Sequence, residues 1–303
     1  MSSEQLNSCM FIGLPNSGKS SFIGALWHVV ESGEIDSLYS ITVQPDDREY
    51  LNSLRSSFLD CKSVERTKTE SVKKIELEIK DNTNGQVMNF VFPDLSGETY
   101  ESQFEYRKLT IDYIDQVSGC NSIMLFVNPD FIKKGHLILN VDEMLDFKDS
   151  SNNLEINDKG NIPGKQMKED AEVKWTPKLC QSQVVLVDLL QIISKNIKLP
   201  CKINIIVSAW DVIVNLPDFG VPKLTPSEWF IEELPMLFQY LISNAEAFPH
   251  KVFGVSAQGG IYSEEDDENL ELQGKLKQSE RIIVQSEKSV THDITVPLKW
   301  LFE

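Results

Sequence analysis

The chain has 303 residues, of which 41% are hydrophobic and 25% charged, with a formal net charge of −17. That length admits one large α/β domain or two ordinary ones, and the balance is that of a globular protein. A surface this acidic aids solubility and repels nucleic-acid phosphates and anionic lipid headgroups, which argues against nucleic-acid or membrane partners unless the fold gathers a basic patch.

The five cysteines, Cys9, Cys61, Cys120, Cys180 and Cys201, are scattered and never spaced C-x-x-C. They predict neither a disulfide framework nor a metal site, and they suit a reducing compartment. The start, Met1-Ser2-Ser3-Glu4, carries no basic leader, and no run approaches the ~20 apolar residues of a membrane span. The expectation is a soluble, cytoplasmic protein.

In chain order, residues 9–12 read as a short apolar strand. A glycine-bounded loop follows, and then a helix through Ala25, Leu26, Trp27, Val29 and Val30. Leu51, Leu54 and Phe58 recur at helical spacing within 46–60. Val72, Ile75, Leu77 and Ile79 alternate, which predicts a strand. The turn Asn82-Thr83-Asn84-Gly85 joins it to a second strand over 86–94, making a hairpin. A helix is predicted over 99–117 and a buried parallel strand over 121–129. Residues 133–176 are polar and aperiodic and predict a surface insertion. Leu186, Leu190, Ile193 and Ile197 mark another helix, and 201–211 a buried strand that ends in a polar cluster. Thr225-Pro226-Ser227-Glu228 has the form of a capping box, opening a helix through Trp229, Phe230 and Leu234 that breaks at Pro235. Residues 250–260 read as the last strand, 263–289 as a second polar insertion, and 292–302 as a short amphipathic close.

This order predicts one α/β domain over 1–303: a mainly parallel sheet with helices on both faces, one antiparallel strand from the hairpin, and two polar insertions. Ligands of such sheets bind beyond the carboxyl ends of the strands, and each polar cluster lies at such an end.

The first cluster, Gly13-x4-Gly18-Lys19-Ser20, fits the phosphate-binding loop of nucleoside triphosphatases. Its glycines allow the backbone N–H groups to turn inward, so Gly13, Asn16, Ser17, Gly18, Lys19, Ser20 and Ser21 are candidates to cradle phosphates at a helix start. Lys19 would bridge the outer phosphates and serve catalysis, and the Ser20 hydroxyl would ligate Mg²⁺. The second cluster is Asp94-Leu95-Ser96-Gly97-Glu98. There Asp94 would hold Mg²⁺ through water and the Gly97 N–H would meet the γ-phosphate; a plain turn is the alternative.

Two further clusters, Ser208-Ala209-Trp210-Asp211 and Ser256-Ala257-Gln258, make the chain resemble the small-GTPase-like (TRAFAC) superfamily of P-loop proteins. The resemblance covers most of the chain, with the motifs in the same order. It implies that Asp211 reads the ring N–H and exocyclic amine of guanine, and that the Ala257 N–H meets the guanine carbonyl. Ser208, Trp210, Ser256 and Gln258 would complete the base site. Ala209 stands where that superfamily has a lysine that packs over the base and braces the phosphate loop. Trp210 is a candidate to cover apolar surface in its place.

Arg66 and Thr69 are spaced R-x-x-T, which resembles heterotrimeric G-protein alpha subunits. The likeness implies an arginine that stabilises transition-state charge and a threonine that meets Mg²⁺, with Thr67 and Thr42 as rivals for the metal. Glu98 stands where many members have glutamine. It would orient the attacking water, or simply start a helix. The S-x-W-D form and the closing "PLKWLF" also resemble the bacterial double-GTPases of anti-phage conflict systems, which implies a switch coupled to an effector. The expected function is a GTP-binding, Mg²⁺-dependent switch with slow hydrolysis, alternating between GTP and GDP and signalling to an effector or regulatory protein. An ATPase of related fold and a hydrolysis-deficient scaffold are the alternatives. The oligomeric state is open.

Overall fold

The computed structural model describes residues 7–42, 48–62, 75–92, 98–134, 179–214, 224–260, 272–275, 277–287 and 289–303. The first expected insertion, 133–176, lies almost wholly outside them, as does Val72. Nine strands form one sheet in the order β2-β3-β4-β1-β5-β6-β7-β8-β9. They are β1 (Asn7–Gly13), β2 (Tyr39–Ile41), β3 (Ile75–Asp81), β4 (Val87–Phe92), β5 (Ser122–Val127), β6 (Lys202–Ser208), β7 (His250–Ser256), β8 (Ile283–Ser286) and β9 (Ser289–Thr291).

The middle of the sheet is parallel. β1 pairs in parallel with β4 and β5, β5 with β6, and β6 with β7. Every residue of β5 is buried, because helices cover both faces and an uninterrupted apolar run then costs nothing to solvate. The predicted hairpin is present: β3 runs antiparallel to β4, with Ile75 opposite Phe92, and the Gly85 N–H donates to Asp81 O at 2.8 Å to close its turn.

One face is packed by α1 (Lys19–Ser32), α2 (Arg48–Leu59) and the closing helix α9 (Val296–Phe302), around Phe11, Phe22, Trp27, Phe58 and Leu298. The helix expected within 46–60 is α2, and its Leu51, Leu54 and Phe58 are all buried as their spacing predicts. The other face is packed by α3 (Glu98–Tyr106), α4 (Ile111–Gly119), α5 (Ser182–Ser194), α7 (Pro226–Glu233) and α8 (Pro235–Ser243). A short helix, α6 (Trp210–Val214), follows β6.

Three expectations are corrected. The single helix over 99–117 is two, α3 and α4. Arg107 adopts φ 52°, which ends the first, and the Thr110 side chain accepts from the Tyr113 N–H, which starts the second. The stretch 263–289 is not wholly a polar insertion: a turn of 3-10 helix at Gln278–Arg281 leads into β8, where Val284 and Gln285 are fully buried. Its Ser279, Arg281 and Gln285 read as surface, yet all three are buried and hydrogen-bonded. In consequence the hairpin's strand is not the one antiparallel strand, since β8 runs against β7 and β9 against β8. The capping box is as expected. The Thr225 hydroxyl accepts from the Glu228 N–H at 3.1 Å, Glu228 Oε2 accepts from the Thr225 N–H at 2.8 Å, and Pro235 restarts the chain as α8.

Candidate nucleotide-binding site

The carboxyl ends of β1, β5, β6 and β7 are adjacent in the sheet and build one cleft. After β1 the chain turns through residues 14–18 into α1. The Ser17 N–H donates to Leu14 O at 3.2 Å, and Asn16 sits at φ 60° on the exposed tip. Gly18 adopts φ 87°, a left-handed conformation that side chains resist. It is also pressed against β6, where a Cβ at Gly18 would lie 2.7 Å from Ser208 Cβ. Gly18 is therefore required twice, by its own backbone and by its neighbour.

Lys19 is buried and its ammonium folds over the loop. Nζ donates to Gly13 O at 2.7 Å, to Leu14 O at 3.1 Å and to Ser17 Oγ at 3.1 Å. The positive charge is thereby fixed at the loop rather than left to swing in solvent, beside the N-terminus of α1 where aligned peptide dipoles also favour an anion. Ser20 and Ser21 occupy the first turn of α1 and are half-buried.

On the far side of the cleft, Ser208 Oγ donates to Val127 O at 3.2 Å and Ala209 adopts φ 48°. That bend brings Asp211 to the cleft wall in the first turn of α6. After β7, Ser256 Oγ accepts from the Gly259 N–H at 2.9 Å and shapes the turn that presents Ala257 and Gln258. Gln258 Nε2 donates to Ser21 Oγ at 3.4 Å, joining positions 237 residues apart. The cleft is open to solvent and holds about 250 Å³, with Gly18, Ser21, Ser208, Asp211, Ala257 and Gln258 in its wall. Thus the phosphate-loop residues and the two later motifs meet, as the strand-end rule requires.

Trp210 does not line this space. Its ring is fully buried on the other side of α6, edge-on to Trp229 with centroids 6.4 Å apart, and Nε1 donates to Gln285 Oε1 at 2.7 Å. Its candidacy as a base cover is therefore corrected: successive residues at a helix start point different ways, and Asp211 takes the cleft while Trp210 takes the core. The signal was present in Gly254, a glycine inside an apolar strand, since a Cβ there would lie 2.3 Å from the indole.

Of the remaining candidates, Arg66, Thr67, Thr69, Asp94 and Gly97 lie outside the described residues, and Glu98 opens α3 with its side chain outside them. Thr42, the rival metal ligand, is tied to the sheet edge. Its hydroxyl donates to Glu78 Oε2 at 3.0 Å and its N–H to Glu78 O at 3.2 Å. Sequence reasoning missed Asn128 and Asp130, which stand at the end of β5 and also line the cleft. Their only signal is the polar pair that closes the apolar run of β5.

Mg²⁺ fits the donors present. Ser20 offers a hard hydroxyl oxygen at the loop-to-helix junction, its side chain makes no hydrogen bond among the described residues, and phosphate oxygens would complete such a shell.

A parallel sheet whose first strand ends in this loop, with lysine and serine opening the next helix, defines the P-loop nucleoside triphosphatase fold of the small-GTPase-like type. The chain belongs to the Double-GTPase 1 family, whose model matches residues 10–301. The chain is also similar to the GTPase-like domain of S. cerevisiae Ski7 bound to GTP, at 15% identity and a TM-score of 0.39 over 88% of this chain and 46% of that one. It is similar to the putative nucleolar GTP-binding protein 1 of Plasmodium falciparum, at 10% identity and a TM-score of 0.36 over 86% and 82% of the two chains. For the G domain of the T. maritima iron transporter FeoB the figures are 14%, 0.30, 89% and 99%. The chain thus spans less than half the Ski7 chain. A search of curated protein sequences finds no match. No described helix is long and apolar enough to cross a membrane.

Proposed function

We propose that the chain binds GTP and GDP with Mg²⁺ in the cytoplasm, hydrolyses GTP slowly, and signals the difference to an effector or regulatory protein. One juxtaposition supports the reading. Gly18 and Ser21 of the phosphate loop share a cleft with Asp211 and Ala257, so a charged tail and a purine can be held at once.

The division of labour follows from chemistry. The loop N–H groups and Lys19 neutralise phosphate charge. Asp211, an acceptor only, pairs with the N–H and amine edge that guanine presents and adenine does not. The Ala257 N–H donates to the guanine carbonyl. Ser20 would hold the metal, with Asp94 through water and with Thr69 or Thr67; bound Mg²⁺ supplies charge neutralisation on the outer phosphates. Gly97 would donate to the γ-phosphate, and Arg66 would stabilise transition-state charge, a role worth about 10³–10⁵ in rate where an arginine fills it. Glu98 would orient water, but its charge beside a γ-phosphate makes hydrolysis slow. Loss of that phosphate would release the segments around Arg66–Thr69 and Glu98–Arg107, and a partner would read the change.

Competition binding with Mg²⁺ present tests the base assignment. GTP and GDP are expected to bind and ATP not to displace them. Asp211→Asn, which swaps an acceptor for a mixed donor and acceptor, is expected to weaken GTP at least tenfold and to favour xanthosine nucleotides. Displacement by ATP as effective as by GTP would overturn the assignment. Single-turnover hydrolysis with and without Arg66→Ala tests the slow-GTPase part: the variant is expected to lose most of the rate, and no phosphate release from the wild type would leave a binding module.

A further inference from the structure

The turn after β5 carries chemistry that the motifs do not use. Asn128 fastens two things. Its Nδ2 donates to Asn16 O at 3.0 Å, on the tip of the phosphate loop, and its Oδ1 accepts from the Asp130 N–H at 3.1 Å. Pro129 fixes the intervening backbone at the first position of the 3-10 turn Pro129–Phe131. Asp130 is thereby held at a set point of the cleft wall, and its side chain is exposed. Among the described residues no cation pairs with it.

An unpaired carboxylate is a cost in a cleft for a polyanion, because like charges repel across it. It is tolerated where the part of the ligand beside it is neutral and donates hydrogen bonds. The strand order says which part that is. From β1 to β7 the sheet steps through β5 and β6, three strand spacings or about 14 Å. Phosphates sit at the end of β1 and the base at the ends of β6 and β7, so the sugar crosses the end of β5. A ribose presents two neighbouring neutral hydroxyls there, and a carboxylate at the strand end is a general device for binding them.

We propose that Asp130 accepts hydrogen bonds from the ribose hydroxyls and makes the site selective for ribonucleotides over deoxyribonucleotides. The inference rests on the nucleotide-site reading above. Neither Asn128 nor Asp130 belongs to the motifs that carry that reading.

Calorimetric titration of the full chain with GDP, 2′-deoxy-GDP and 3′-deoxy-GDP in the presence of Mg²⁺ tests it. The wild type is expected to bind at least one deoxy analogue about tenfold to a hundredfold more weakly than GDP, the usual worth of a hydrogen bond to a charged acceptor. Asp130→Ala is expected to bring the three affinities together, with the deoxy analogue binding no worse than to the wild type, and Asp130→Asn to keep part of the preference. Equal wild-type affinity for all three overturns the ribose role alone, as does an Asp130→Ala variant that weakens all three in parallel. If the wild type binds none of them, the nucleotide-site reading falls and this inference with it, so the two failures are distinguishable. The side chain is exposed, so thermal unfolding of the unliganded variants is expected to match the wild type.

Discussion

The Trp210 indole stacks where Gly254 leaves room, and its N–H is satisfied by Gln285, whose amide in turn donates to Leu224 O and Glu287 O at 2.9 Å each. Every polar atom in this buried set has a partner, which is the condition for polar groups in a core. A methyl at Gly254 would overlap a ring packed on all sides. Gly254→Ala is therefore expected to destabilise the protein by about 1–3 kcal/mol, read as a lower urea midpoint. Trp210→Phe keeps most of the packing but strands Gln285 Oε1, and about 1–3 kcal/mol is expected from that alone. Gly18→Ala has another outcome. Strain at φ 87° and the close approach of Ser208 would displace the loop, so nucleotide affinity is expected to fall much further than stability, a contrast that titration beside denaturation would expose.

At the scale of elements, the end of α1, the end of α2 and the turn at 277–281 form a polar junction. His28 Nε2 and Glu34 Oε1 lie 3.0 Å apart, Glu34 Oε2 accepts from the Ser279 N–H at 2.9 Å, and the Arg281 guanidinium lies 4.5 Å from the Phe58 ring while donating to Phe58 O at 2.6 Å. Arg55, from α2, also faces His28, with Nε 3.3 Å from Nδ1. Burial lowers the His28 pKa from its ordinary 6.5, and the charges of Arg55 and Arg281 lower it further, against the upward pull of Glu34. Glu34 is pushed up by burial, but the Ser279 N–H and His28 outweigh this and hold it below 4.5. The unfolded chain therefore takes up protons that the native state resists. Stability is expected to be intact above about pH 6.5 and to fall on acidification, first through His28 and then through Glu34. His28→Gln is expected to flatten the upper part of that fall, checked by urea midpoints at neutral and mildly acid pH. At another element end, Thr225→Ala removes the capping box of α7 and is expected to cost about 1 kcal/mol.

For the whole molecule, the described elements share one sheet, and a single cooperative calorimetric transition is the expected outcome. How much of this was legible varied with the physics involved. The parallel strands and the convergence of their ends could be read because a strand covered on both faces must be apolar throughout, as in β5, and because ligand chemistry collects where such strands stop. The division of α3 from α4 was hidden, since Arg107 gives no sign that it will take a left-handed backbone. The β8 segment was hidden for a related reason. Ser279, Arg281 and Gln285 look like surface residues, and only the complete fold supplies the partners that let them be buried. Asn128 and Asp130 went unnoticed because no spacing rule marks them; their place follows from strand order alone.

The bond from the indole to β8 bears on how the chain can be cut. A fragment stopping at Gly260 would contain each stretch that lines the cleft, yet β7 would become a bare hydrogen-bonding edge and α9 would be missing from Phe11's side of the sheet. Asp211 would then hang from a tryptophan that had lost its acceptor. A fragment meant to keep that carboxylate in register is therefore expected to need β8 for the acceptor and α9 for the covered face, although neither carries any of the cleft's chemistry.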